Sequence, residues 1–312
     1  MIVRLFILLT FSLMFNACSG QQKPQKTQES AKERTFEMVA VPSVITEPDK
    51  RAEYLVMHYW DKFDFTDTAY IHLPEVTEQA LANYIDIMRY ASPEVADSSI
   101  KNMLNKAQAD SSMFAYFTGM YEKYLYEPNS PMRNETLYIS VLQATLDAGV
   151  LDEVSKIRPA SLLELALKNR PGELATDFTY TLANGRKGTL YGVKAPYLIL
   201  FFYNPDCPAC KEITDRLAAS EFINGKIKNK ELKILAVYPD EDLTAWKNHI
   251  SYMPASWINS YDETISLRND EVYDLKAIPT LYLLDKDKKV LLKDVTFNQV
   301  EDYLKNQILQ PS

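Results

Sequence analysis

The sequence contains little cysteine and little histidine, with three of each among its 312 residues. A structural zinc site needs four cysteine or histidine ligands, but Cys18, His58, His72 and His249 each stand isolated, without ligand spacing. The residues therefore predict no metal site. A fold that relies on disulfides for stability is also disfavoured, because such folds are dense in cysteine.

The chain also has no excess of basic residues. It carries 34 basic and 42 acidic side chains and a formal net charge of −8, so charge gives no reason to expect a nucleic-acid partner. Hydrophobic residues make up 46% and charged residues 24% of the chain, which is ordinary for globular protein. The length allows two domains.

No apolar run is long enough to span a bilayer, which takes about 20 residues. The longest run near the N-terminus extends from Leu5 to Phe15, follows Arg4, and precedes the small residues Ala17 and Ser19. This pattern is typical of a signal peptide. We predict a signal peptide over residues 1–17 and export of the remaining chain.

The segment Phe15-Asn16-Ala17-Cys18 resembles the lipobox of bacterial lipoproteins, although it has Phe15 where an aliphatic residue is usual. By that resemblance, Cys18 becomes the lipidated first residue and anchors the protein to a membrane, since several acyl chains on one residue give stable anchoring. Residues 18–35 would form a polar tether. Ordinary cleavage after Ser19 is the alternative.

Residues 36–168 have a helical pattern. Leu81, Tyr84, Ile85 and Met88 are spaced as one face of an amphipathic helix, and several later segments repeat this spacing. Ser92 and Asp110 are start signals, and the proline-rich loop at 127–131 interrupts the pattern. We predict an all-α domain of five or six helices.

This helical region is rich in tyrosine. One interpretation is a groove that recognises peptide or glycan; the other, which we favour, is a core and interface in which tyrosine hydroxyls reach the surface. The tyrosines are Tyr54, Tyr59, Tyr70, Tyr84, Tyr90, Tyr116, Tyr121, Tyr124 and Tyr126.

Residues 169–312 alternate between strand and helix patterns. The strands lack polar alternation, which predicts an α/β domain whose sheet is covered by helices on both faces. The predicted strands are 178–182 (an edge strand), 197–203, 232–238, 256–259, 280–284 and 290–293, and the predicted helices are 207–219, 243–250, 264–273 and 297–308.

The segment Cys207-Pro208-Ala209-Cys210 directly follows the most apolar predicted strand and opens a predicted helix. Two cysteines at this spacing predict a redox pair. A helix N-terminus favours a thiolate on Cys207, which is the nucleophilic form, and Cys210 lies one turn further on, where it can attack a mixed disulfide. Pro208 suits the first helical position. An inert structural disulfide is the alternative. The pair itself would be the redox centre, with no further cofactor.

Residues 174–312 resemble the exported TlpA/ResA-like thiol–disulfide oxidoreductases, which have a thioredoxin fold. The resemblance is carried by residues 201–211 and by Ala277-Ile278-Pro279-Thr280. It implies that Pro279 is cis and faces the cysteines, that the backbone at Ile278 and Pro279 pairs with substrate, and that the protein is a reductase. The implied partners are exported proteins with disulfides or thiols, and a membrane electron donor.

The helical half resembles a domain of undefined role that precedes thioredoxin-like domains in exported lipoproteins of Gram-negative bacteria. Residues 129–135, Asn-Ser-Pro-Met-Arg-Asn-Glu, carry this resemblance. It implies no chemistry for the helical half.

The sequence departs from the family pattern at three positions. Asp206 stands where tryptophan often precedes the first cysteine, and its carboxylate would oppose a thiolate if it pointed inward. Phe201 replaces a buried acidic residue, and Ile213 stands where some members have glutamate; we expect the neighbouring Glu212 to face solvent. Proton transfer to and from Cys210 therefore has no assigned side chain.

Two other functions are considered. A thiol peroxidase of the peroxiredoxin type would need threonine at the position of Asn204. A non-catalytic adaptor would bind a partner through its helical domain and use the thioredoxin-like domain as a scaffold. The presence of both cysteines and Pro279 disfavours the adaptor.

Overall fold

The computed structural model describes residues 34–309. The predicted signal peptide, Cys18 and most of the predicted tether lie outside these residues. Within the described part of the chain, no helix is both long enough and apolar enough to cross a membrane. Residues 36–309 belong to one compact unit.

The first half of this unit is helical, as predicted. It contains six α-helices, together with a 3-10 helix over Thr68–His72 and a π-helical turn over Glu122–Tyr126. The α-helices are α1 Pro48–His58, α2 Pro74–Met88, α3 Pro93–Ala107, α4 Ser111–Tyr121, α5 Glu135–Asp147 and α6 Glu153–Ala166.

Polar side chains cap these helices where the sequence indicated. Ser92 Oγ accepts a hydrogen bond from the amide of Val95 at the start of α3, over 3.4 Å. The Asp110 carboxylate accepts from the amides of Ser112 and Met113, over 2.8 and 3.1 Å. Each cap satisfies amides that have no partner within the helix.

The helical core is aromatic. Trp60 packs edge-on against Phe63, Tyr84 and Phe117, with ring centres 5.3–5.6 Å apart. Tyr84 and Tyr121 lie in this core, as predicted, but both are fully buried, so their hydroxyls do not reach the surface as expected. Tyr90, in contrast, is exposed.

The second half contains a seven-stranded sheet with the order β2-β1-β5-β4-β3-β6-β7. The neighbours β5, β4 and β3 are parallel, and the other pairs are antiparallel. The strands are β1 Thr179–Leu182, β2 Lys187–Thr189, β3 Tyr197–Phe202, β4 Leu232–Tyr238, β5 Ile258–Tyr261, β6 Thr280–Asp285 and β7 Val290–Lys293. The helices are α7 Pro208–Ala219, α8 Glu221–Lys228, α9 Leu243–His249, α10 Ser266–Asn269 and α11 Phe297–Leu309.

Both faces of the inner strand β3 are buried. Successive side chains of a strand point to opposite faces, so Phe201 and Tyr203 enter one core cluster while Leu200 and Phe202 enter the other. Residues of α7, α8, α9 and α11 complete the first cluster, and Leu267 of α10 belongs to the second. The predicted fold class, a helical region followed by an α/β sheet covered on both faces, is confirmed.

Three sequence predictions about local structure were wrong. The strand at 178–182 is not an edge strand, because β2 pairs with β1 on its outer side. The strand predicted at 256–259 begins at Ile258 instead, since a turn from Pro254 to Trp257 precedes it.

The third error is the helix predicted over 264–273, of which only the four residues of α10 are helical. Ile265 before it and Glu271 after it have positive φ angles, 58° and 48°. Such angles end a right-handed helix. The buried carboxylate of Asp262 accepts a hydrogen bond from the amide of Leu267 over 2.7 Å and fixes this short turn.

Candidate active site

Cys207 is the last residue before helix α7. Its backbone is extended, with φ −91° and ψ 115°, and its sulfur accepts a hydrogen bond from the amide of Cys210 over 3.2 Å. Pro208 occupies the first turn of the helix, as predicted. The sulfur of Cys207 thus lies at the positive end of the helix dipole, where negative charge is stabilised.

Cys210 lies one turn into α7 and is only 2% exposed, whereas Cys207 is half-buried. Burial raises the pKa of the Cys210 thiol well above its ordinary value, and the hydrogen bond with Cys207 raises it further. Both cysteines are free thiols in this structure. The pair therefore combines one accessible sulfur with one shielded sulfur that retains its proton.

The loop before β6 brings a backbone carbonyl to the accessible sulfur. The Cys207 sulfur lies 3.5 Å from the carbonyl oxygen of Ile278. The Ile278–Pro279 peptide bond is cis, which confirms the expectation drawn from the family resemblance. Ile278 is only partly buried and packs against the core cluster that contains Cys210.

Asn204 organises the turn between β3 and α7, a role that the sequence analysis missed. Its amide lies 3.5 Å from the Cys210 sulfur, and its carbonyl accepts from the amide of Cys207 over 3.2 Å. Its side chain accepts from the amide of Asp206 and donates to the carboxylate of Asp240, each over 3.0 Å. Asparagine just before Pro205 is a turn signal and could have suggested this position.

The residues next to Cys207 form an exposed surface. Asp206, Pro208 and Ala209 are all exposed, so solvent screens the charge of Asp206. Asp206 also borders a shallow depression of about 450 Å³ on the side of α9, which His249 lines as well. The pKa of His249 is lowered, because the effect of burial outweighs the opposing effect of the Asp206 charge.

Apolar residues occupy the two positions where relatives carry carboxylates. Phe201 is fully buried, with its ring 5.5 Å from that of Tyr203, and Ile213 packs against the same core cluster. Glu212 is exposed, as expected, and lies 3.9 Å from Arg216. The Cys210 thiol thus has the backbone amide of Asn204 and the sulfur of Cys207 as hydrogen-bonding neighbours.

The other sites considered from the sequence do not converge on the cysteines. His58 Nδ1 lies 2.7 Å from the Asp61 carboxylate on the helical domain. Within residues 34–309, no three histidine, cysteine, aspartate or glutamate side chains are grouped so that they could hold a metal ion. Cys18 lies outside the described residues, and its lipidation stays a prediction.

Comparison with known proteins gives two family matches. Residues 17–169 match the model described as "Domain of unknown function (DUF5106)". Residues 196–290 match the model described as "Thioredoxin-like".

Two individual relatives are informative. A crystal structure of a thioredoxin-like protein from Bacteroides caccae is 48% identical, covers 88% of this chain and 99% of its own, and superposes with a TM-score of 0.85. The thiol-disulfide oxidoreductase ResA of Bacillus cereus is 28% identical over 140 residues, which are 44% of this chain and 78% of ResA. The chain therefore belongs to the thioredoxin-like proteins, and its sheet domain is homologous to thiol–disulfide oxidoreductases.

Proposed function

We propose that this protein is an exported, membrane-tethered thiol–disulfide oxidoreductase that reduces disulfides in other exported proteins. The observation that carries the proposal is the Cys207 sulfur, which is accessible at the start of α7 and lies 3.5 Å from the Ile278 carbonyl. A disulfide substrate that reaches this sulfur also meets a backbone group with which an extended peptide can pair.

The reaction takes two exchanges. The Cys207 thiolate attacks one sulfur of the substrate disulfide; the Cys207–substrate bond forms, the substrate disulfide breaks, and the leaving thiolate takes up a proton. Cys210 then loses its proton and attacks the Cys207 sulfur, which releases the second substrate thiol. The substrate gains two electrons, and Cys207 and Cys210 are left as a disulfide.

The geometry suits this order of events. Cys210 lies too deep to meet a protein disulfide first, because only 2% of it is exposed. It contacts Cys207 directly through its own amide, over 3.2 Å. The turn amide of Asn204 lies 3.5 Å from the Cys210 sulfur and would stabilise negative charge there when the proton leaves.

The direction of electron flow and the membrane location rest on the homology and on the sequence. The resemblance of residues 174–312 to the exported TlpA/ResA-like family favours the reductase direction, with a membrane electron donor restoring the dithiol. Lipidation of Cys18 would hold the domain at a bacterial membrane, facing the periplasm. A redox titration of the Cys207–Cys210 pair tests the direction, because a strongly reducing potential is required of a reductase.

Reduction of insulin tests the activity. The purified protein should accelerate insulin reduction by dithiothreitol, and Cys207→Ser should remove the acceleration. If the wild-type protein is no faster than dithiothreitol alone, the oxidoreductase proposal is wrong, and the adaptor, in which the sheet domain is a scaffold, becomes the better description.

A further inference from the structure

Charged side chains link the helical domain to the sheet domain. From the helical side, Arg133 lies 3.0 Å from the Asp294 carboxylate, and Glu135 lies 2.9 Å from the ammonium group of Lys293. The side chain of Lys293 is only 3% exposed, so this interface holds a buried charge. The helical domain is therefore attached to the sheet domain at defined points.

One of these points is a tyrosine ring over a lysine. The ammonium group of Lys276 lies 4.7 Å from the centre of the Tyr126 ring. On its other sides it contacts the carboxylate of Asp274 and lies 3.9 Å from that of Asp294. A cation held over an aromatic face is attracted by the ring's electrons, and the attraction is strongest where water is excluded. Because the side chain of Lys276 is only 15% exposed, most water is excluded from this contact.

The ring is itself held in place. Tyr126 ends the π-helical turn Glu122–Tyr126, and it stacks on Tyr138 of α5 with ring centres 4.9 Å apart. Burial raises the pKa of Tyr126 to about 12, so its hydroxyl stays neutral at physiological pH. The helical domain thus presents a fixed, uncharged aromatic face to Lys276.

Lys276 lies in the loop that carries the backbone facing Cys207. Only Ala277 separates it from Ile278, whose carbonyl oxygen is 3.5 Å from the Cys207 sulfur. Two residues span at most about 7 Å of chain, so a displacement of Lys276 is passed to Ile278. The amide of Lys276 also donates to the Asp274 carboxylate over 3.1 Å, which stiffens the start of this loop.

We propose that Tyr126 and Lys276 are positioning residues through which the helical domain holds the 274–280 loop against Cys207. The helical domain then has a role in the redox site although it supplies no reacting group. The consequence for catalysis rests on the proposed oxidoreductase function; the positioning of the loop does not.

The neighbouring residue Tyr124 provides a matched control. It belongs to the same π-helical turn and also has a lysine over its ring, Lys123 at 5.5 Å. Its hydroxyl donates to Glu78 over 2.8 Å. These partners all belong to the helical domain, so loss of the Tyr124 ring disturbs that domain without touching the loop.

Hydrogen–deuterium exchange of the full chain tests the proposal without any substrate. Tyr126→Leu removes the ring and keeps an apolar side chain. It should speed exchange of the amides in residues 276–280 by about fivefold, the effect expected from losing one cation–π contact. Tyr126→Phe keeps the ring face and should match the wild type, and Tyr124→Leu should leave these amides unchanged.

Insulin reduction gives the second measurement. Tyr126→Leu should raise KM for insulin more than it lowers kcat, because the loop meets the substrate while the cysteines are untouched. If the wild-type protein does not reduce insulin, the proposed function is wrong. The hydrogen–deuterium exchange measurement then tests by itself whether Tyr126 and Lys276 position the loop.

Two results would overturn the proposal. One is that the amides of residues 276–280 exchange hydrogen for deuterium in Tyr126→Leu at the same rate as in the wild type. The other is equal acceleration by Tyr126→Leu and Tyr124→Leu, which would mean general loosening of the helical domain. If Tyr126→Leu does not fold, Lys276→Gln replaces it as the test variant. Glutamine can still form a hydrogen bond with Asp274 but carries no charge to interact with the ring. An unchanged exchange rate of residues 276–280 in Lys276→Gln would equally count against the proposal.

Discussion

The amide of Cys210 donates a hydrogen bond to the sulfur of Cys207 over 3.2 Å. The first cysteine thereby caps the helix in which the second cysteine is buried. The two sulfurs are chemically unequal, because one is half-buried at the positive end of the helix and the other lies in the core.

Covalent trapping of partners should show this inequality. Cys210→Ala leaves the accessible sulfur but removes the resolving thiol, so mixed disulfides on Cys207 should accumulate. Cys207→Ala leaves only the buried sulfur and should trap on the order of tenfold fewer partners, as expected for a shielded and protonated thiol. Non-reducing gels of each tagged variant, compared after equal expression, measure the trapped fraction.

Equal trapping by the two variants would contradict the assignment of Cys207 as the nucleophile. Trapping by neither would favour the structural-disulfide interpretation of the pair. The double variant, Cys207→Ala with Cys210→Ala, sets the background.

The resolving step should depend on pH. Because burial raises the pKa of Cys210, its thiolate fraction at neutral pH is small and grows about tenfold with each pH unit below that pKa. Resolution of a mixed disulfide should therefore accelerate across pH 6 to 9. The release of the second thionitrobenzoate from protein treated with Ellman's reagent, followed by stopped flow, measures this rate.

The first release, which comes from attack by Cys207, serves as the internal reference, and the second release should be missing in Cys210→Ala. A second phase with the same rate at every pH would mean that Cys210 is not protonated in the folded protein.

Asn204→Ala should weaken both the fold and the turn that carries the cysteines. The variant loses the side-chain bonds to the Asp240 carboxylate and the Asp206 amide. A bond to a charged group contributes about 1.5–3 kcal/mol and a neutral one about 1 kcal/mol, so we expect the free energy of unfolding to fall by about 2.5–4 kcal/mol. Urea denaturation of the reduced protein measures it.

Asn224→Ala is the matched control. The Asn224 side chain makes one exposed bond, to the carbonyl of Ala218 over 2.7 Å, and its loss should cost about 1 kcal/mol or less. The rate at which iodoacetamide alkylates Cys207 should differ from the wild-type rate in Asn204→Ala. In Asn224→Ala it should equal the wild-type rate. The same alkylation rate in both variants would show that Asn204 does not organise the site.

Lipidation of Cys18 is a prediction from the sequence. Intact-mass spectrometry of the membrane-extracted protein should show an acylated N-terminus at Cys18, and Cys18→Ser should release the protein from the membrane. A protein that begins at Gly20 without acyl chains would instead support ordinary cleavage after Ser19.

The sequence by itself determined those features whose cause is local. Apolar spacing predicted the helices of the first half, and Ser92 and Asp110 marked helix starts that the structure confirms. The apolar run before Cys207 predicted strand β3, and the cysteine spacing placed Cys207 at a helix start and Cys210 one turn further on. These patterns are readable because each depends on neighbours within a few residues.

Apart from the approach of Ile278 and Pro279 to the cysteines, which the family resemblance implied, the tertiary structure alone decided the contacts that join distant parts of the chain. The pairing of β2 outside β1 removed the predicted edge strand, and left-handed residues on both sides of α10 shortened a predicted helix. Cys207 and Ile278 are 71 positions apart, and only the order of strands in the sheet brings them together. Asparagine, aspartate, tyrosine and lysine occur at many positions on protein surfaces, so the sequence does not show that Asn204 bonds Asp240 or that Tyr126 contacts Lys276. The packing of the helices and strands decides these partners, because a hydrogen bond or a cation–π contact has no repeating pattern along the chain.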